Sequence, residues 1–181
     1  MANDKAAERV ERLGEPNHQI VSTHEGYIQG IDGEGVVACA GHCNAIIRMH
    51  YRPGDFLREG AVLAEAWLPQ DVSEEASKQL SRDVNEAVIV GIRRTPRQDV
   101  QCAINELVEV AVRSLSPGIN DPFTAINCVD SLSAALCRLA QRRMPQQVRC
   151  DGNGRLRVIV ARPTTFPDVL DDSLDQIRQY G

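Results

Sequence analysis

The chain has 181 residues, a formal net charge of -5, and 43% hydrophobic, 25% charged and 4% aromatic residues. These are ordinary globular values at the upper end of one domain's length; they exclude a fibrous repeat or a disordered chain and leave one domain or two small lobes. The acidic balance and sparse aromatic residues argue against a nucleic-acid partner, which needs a basic surface or stacking platforms. No run approaches the about 18 apolar residues of a membrane span, and the charged opening lacks an apolar leader, so the sequence as given reads as soluble and cytoplasmic.

Residues 1–19 are polar and predict a tether or frayed helix on Ala7, Val10 and Leu13. From residue 20 to about 70 short β-branched or apolar runs alternate with glycine: Tyr27-Ile28, Ala45 to Met49, Phe56-Leu57 and Ala61 to Trp67, with turns at Pro53-Gly54 and Glu59-Gly60. Asp32 is positioned to cap one short helix reaching Ala40. After Pro69 the apolar period lengthens: Ala76, Leu80, Val84, Ala87 and Val88 predict a helix ending near Gly91. Thr95-Pro96-Arg97-Gln98 has the composition of a capping-box start for a helix carrying Val100, Ile104, Leu107, Val108, Ala111 and Leu115. Asp121-Pro122 opens a third helix on Ala125, Val129, Leu132, Leu136 and Leu139, closing at Arg142-Arg143, where arginines suit the helix dipole. Gln147 to Cys150 and Leu156 to Ala161 read as a hairpin around Asp151-Gly152-Asn153-Gly154, and Thr165 to Asp168 starts a final helix with Leu170, Leu174 and Ile177 inward. The expected fold is α+β: a small β-rich N-terminal lobe over residues 20–70, then an antiparallel helical bundle with a terminal β-hairpin and a final helix over residues 71–181, forming one compact domain.

Six cysteines (Cys39, Cys43, Cys102, Cys128, Cys137, Cys150) read as free thiols, since three lie in apolar helical patterns and a chain of this size needs no staples. Cys39, His42, Cys43 and His50 come nearest to a zinc set, but there is no second ligand pair, and small apolar thiols on a short helix account for them; no metal and no cofactor are expected. Ser116 and Cys102 have no local histidine to activate them, so no catalytic residue is assigned and the chain is not expected to be an enzyme. The rhythm of residues 52–65 resembles half a lipoyl-type module, yet Lys5 and Lys78 both lie elsewhere, which rejects a carrier role.

Two segments are candidates for binding. Arg93, Arg94 and Arg97 surround the expected helix start at Thr95, whose amides favour a small anion such as a phosphate; Asp99, Glu106 and Glu109 offer a plain surface pairing instead. Ser116 to Thr124 joins two strong helices through two prolines and a glycine. Ser116, Asn120, Asp121 and Thr124 supply polar groups for a ligand, although capping and turning the chain explain the same residues. The apolar stripes after Leu80 and Val100 predict a homo-oligomer, most simply a dimer.

Gly26-Tyr27-Ile28-Gln29 with Arg52 to Phe56, Arg94-Thr95-Pro96 with Gln98-Asp99-Val100, Leu115 through Ala125, and the closing Asp175 to Gly181 resemble domain-of-unknown-function family 2254 from about residue 26 onward. That family comprises bacterial predicted membrane proteins in which a transmembrane region precedes this part. The resemblance implies a soluble regulatory, sensory or assembly domain of a membrane protein, with a membrane-embedded partner or a transmembrane region outside this sequence and an inner-membrane location if the chain is a fragment. It implies no catalytic residue. The competing reading is a small-ligand enzyme or anion-binding module at the Ser116 to Thr124 corner.

Overall fold

A computed structural model of the protein describes residues 13–180, with side chains through Gln179, so most of the expected N-terminal tether lies outside the described residues. The fold is α+β and divides into two compact units, the first running to Arg94 and taking in Gln146–Pro163, the second formed by Thr95–Pro145 with the residues after Pro163.

In the first unit the glycine-punctuated runs become strands β1 (His18–Val21), β2 (Gly26–Ile31), β3 (Ile46–Met49), β4 (Phe56–Leu57) and β5 (Val62–Trp67). Helix α1 (Gly33–His42) lies between β2 and β3, capped by Asp32, whose carboxylate accepts from the Gly35 amide at 3.0 Å. It stops where Asn44 takes φ +49, a left-handed turn that lets the Ala45 amide reach back to the Ala40 carbonyl at 2.7 Å.

Helix α2 (Glu74–Glu86) is capped by Ser73 and buries Leu80 and Val84. It ends before Val88, where the sequence pattern carried it on. Val88–Gly91 is instead strand β6, paired antiparallel with β2, because the run Val88-Ile89-Val90 suits a pleated surface better than a helix. Glycine permits this pairing to be close: Gly26 sits at φ +139, and a Cβ there would come within 2.6 Å of the Gly91 carbonyl.

The hairpin β7 (Val148–Cys150) and β8 (Leu156–Val160) forms as expected but does not stay with the helices. Strand β8 pairs in parallel with β3, Ile47 opposite Val158, giving a five-stranded sheet in the order β1-β5-β3-β8-β7 beside the three-stranded sheet β4-β2-β6. Its placement is fixed by Arg157, which is buried and donates to Asp151 at 2.8 Å and to Asn44 Oδ1 at 3.0 Å, while Val158 enters the core with Ile20, Ile28, Ile47, Leu63 and Leu80.

The second unit holds α3 (Val100–Leu115), α4 (Pro122–Ala140) and α5 (Phe166–Tyr180) around Ile104, Val108, Leu132 and Val169. The capping box at Thr95 does not form. Residues 96–98 are a turn, and Asp99, buried, caps α3 by accepting from the Cys102 amide at 3.0 Å. Asp99 stands immediately before the first apolar-periodic residue and its short carboxylate needs no proline-fixed turn to reach the third amide. In α5 the inward stripe is Val169, Ser173 and Ile177, with Leu170 on the outer side; the reciprocal Thr165 and Asp168 cap sets that phase.

Candidate functional site

At the corner between α3 and α4 the polar groups satisfy one another. The Ser116 hydroxyl donates to the Arg113 carbonyl at 2.7 Å, the Asn120 amide to the Ser116 carbonyl at 2.9 Å, and the Asp121 amide to the Ser114 carbonyl at 2.8 Å. Asn120 takes the left-handed turn at φ +49. Asp121 caps α4 with both oxygens: Oδ1 accepts from the Thr124 amide at 3.1 Å and Oδ2 from the Thr124 hydroxyl at 2.6 Å. Those bonds, the hydroxyl first, hold its carboxyl below the usual carboxylate range. The structure therefore brings Ser116, Asn120, Asp121 and Thr124 together, as parts of one turn and cap.

The arginines are distributed otherwise. Arg93 and Arg94 close the first unit, and Arg97 lies in the turn ahead of α3 in the second. The helix start expected at Thr95 lies instead at Val100, where the Asp99 carboxylate already stands as the anion. Arg93 is exposed and uses its carbonyl to accept from Gln29 Nε2 at 2.9 Å.

The metal candidates also separate. Cys39 lies on α1 and Cys43 is its C-cap one turn on; both are partly buried, and burial with the charge of Asp83 pushes the Cys39 thiol up. Cys102 and Cys128 are buried thiols, whereas Cys137 and Cys150 are exposed. Among the described residues no group of three or more His, Cys, Asp or Glu side chains converges as a metal set.

Two features escaped the sequence reading. On one face of the five-stranded sheet, Glu65 Oε2 accepts from Arg48 Nη2 at 2.6 Å and lies 3.1 Å from His50 Nε2, while the Arg48 guanidinium sits 5.1 Å above the Trp67 ring. The Arg48 hydrogen bond, against the opposing effect of burial, keeps the Glu65 carboxyl below its ordinary range. Alternation along β3 and β5 is the signal that places Arg48, His50, Glu65 and Trp67 on one side.

The second feature is an apolar face on α4. Phe123 is 77% exposed, Ile126 55% and Val129 38%, and Ile119 in the preceding corner is 54% exposed. Ala125, Cys128 and Leu132 form the buried side of the same helix, so the outer residues are apolar without a core role. Phe123 and Ile126 fall off the inward stripe in the sequence, which is the sign that would have found them.

The sequence profile of the family described as "Predicted membrane protein (DUF2254)" matches residues 2–181. Uncharacterized proteins of Mycobacterium bovis and of two strains of Mycobacterium tuberculosis are 31% identical to this chain over 182 aligned positions, covering 99% of it and 35% of their own length. The chain thus spans about a third of the length of the curated relatives it matches. No solved structure matches. Among the described residues no helix is long and apolar enough to cross a membrane. With a match across essentially its whole length, the chain belongs to the predicted membrane protein family DUF2254.

Proposed function

We propose that this chain is a soluble regulatory or assembly domain of a membrane protein system, acting through protein contact rather than through chemistry on a substrate. The observation that carries the reading is the outward face of α4, where Phe123 and Ile126 stand in water on a helix whose opposite side already completes a core. A large aromatic side chain left outside costs solubility and marks a surface that meets something else. The family description and the greater length of the relatives support a setting in which the rest of a membrane protein is the natural neighbour.

The competing reading, a small-ligand enzyme or anion module at the corner, would draw on Asp121, yet both of its oxygens are committed to Thr124. Thermal unfolding with added nucleotides, inorganic phosphate, divalent metals and lipid headgroups separates the two, since a ligand bound to the native state raises the midpoint. The expected outcome is no saturable rise. A saturable rise that disappears in an Asp121→Asn protein of unchanged stability would replace the assembly reading with the ligand one, because asparagine keeps the cap and removes the charge.

A further inference from the structure

Resting on the assembly reading, we propose that the outer face of α4 pairs with the same face of a second copy of this chain, the two helices running antiparallel about a two-fold axis. At 3.6 residues per turn, Phe123, Ile126, Asn127, Asp130, Ser133, Ala134 and Cys137 share one stripe, and each of them is exposed. The stripe is asymmetric along its length. Its N-terminal half carries Phe123 and Ile126, with Ile119 just before the helix, and its C-terminal half carries the small residues Ser133, Ala134 and Cys137.

Antiparallel pairing uses that asymmetry, because the bulky half of one helix lies on the small half of the other and both gaps fill. The register that sets Phe123 over Ala134 of the second copy also sets Asp130 opposite its Asn127, whose amide can donate to the carboxylate. Asp130 is the lone charged residue of the stripe, and this register offsets the two copies' carboxylates by three residues, about 4.5 Å along the axis, instead of stacking them. Parallel pairing would stack Phe123 on Phe123 and Asp130 on Asp130, leaving the small halves apart.

Size and charge favour a second copy over a lipid surface. The exposed parts of Ile119, Phe123, Ile126 and Val129 make a patch of a few hundred Å2, roughly half of the about 800 Å2 that each partner brings to a standard interface, and the flanking small residues extend it. A helix that lies on a bilayer carries several basic residues on the face beside its apolar one, whereas Arg138 is the lone basic residue of α4 and the stripe itself carries Asp130.

The experiment is the mass in solution of the whole chain and of variants at exposed positions. Wild type is expected to pass from 19.9 kDa to twice that mass as concentration rises, by light scattering or sedimentation. Phe123→Glu and Ala134→Arg, each with the wild-type circular dichroism and, in dilute solution where wild type is itself monomeric, the wild-type melting midpoint, are expected to stay monomeric. The double variant is expected to dimerise again, since the two-fold axis places each new glutamate against an arginine of the other copy. A wild-type monomer at the highest soluble concentration overturns the pairing, as do single variants that still dimerise or a double variant that does not. If a monomeric wild type instead binds zwitterionic vesicles and Phe123→Glu does not, the face belongs to a lipid surface and the self-pairing is wrong. If that monomer is retained on proteoliposomes holding the membrane-embedded part of a longer family member, and Phe123→Glu is released, the self-pairing falls while the assembly reading stands.

Discussion

Glu65 shares its carboxylate between Arg48, which donates to it, and the ring nitrogen of His50, so its ionised form is favoured in the folded chain. A carboxyl held below its unfolded value, about 4.3 for glutamate, contributes stability that is present above that value and is lost as pH falls through the folded one. Urea unfolding in a series of buffers from neutral into the acid range is therefore expected to show wild type weakening below the ordinary glutamate range. Glu65→Gln should flatten that part of the profile, and an unchanged slope would mean that the pair is silent in solution. Partial exposure of Arg48 limits the gain to about 1 kcal/mol or less. The pair was not legible in the sequence because its members are 17 positions apart and meet through strand register. Asp32 and Asp121 were legible, since a cap is decided by residues three positions away.

Helix starts and strand boundaries show where local composition misleads. Thr95, Pro96 and Gln98 have the right chemistry to open α3, but a buried aspartate at the next position does so instead. Asp99→Ala is expected to lower stability by about 1 kcal/mol in urea unfolding, whereas Thr95→Ala should stay within about 0.5 kcal/mol. The reverse order would return the start of the helix to Pro96. For β6 the difficulty was different: Ala87 and Val88 continue the helical period of α2, and the pairing with β2 that makes Val88–Gly91 a strand is a contact with residues far earlier in the chain. The five-stranded sheet required the same kind of information. Both strands of the final hairpin were readable, but the neighbour that β8 takes was not.

At the scale of the whole molecule, the first unit is discontinuous, because the chain leaves it at Arg94 and returns at Gln146. A fragment ending at Arg94 would lack β8, the core residue Val158 and the bonds from Arg157 to Asn44 and the Ala45 carbonyl. It would also leave Ile47 and Met49 beside an open sheet edge. Such a fragment is expected to show no cooperative unfolding by circular dichroism, and joining residues 146–163 to it through a flexible linker is expected to restore the transition. Cooperative unfolding of the short fragment at the wild-type midpoint would show that β8 is dispensable. The α+β class was readable from periodicity alone; this return of the chain was not, because a parallel partner can lie at any distance along it.

The parallel joint between β3 and β8 also sets a clock during synthesis. Strand β3 is complete at Met49, and its neighbour begins only at Leu156. At ordinary translation rates the interval is roughly 5–20 s. Throughout it the nascent sheet has an unpaired edge, and the buried arginine that will lock the α1 turn has not yet left the ribosome. A chain built this way spends its riskiest interval tethered to the ribosome rather than free in the cell.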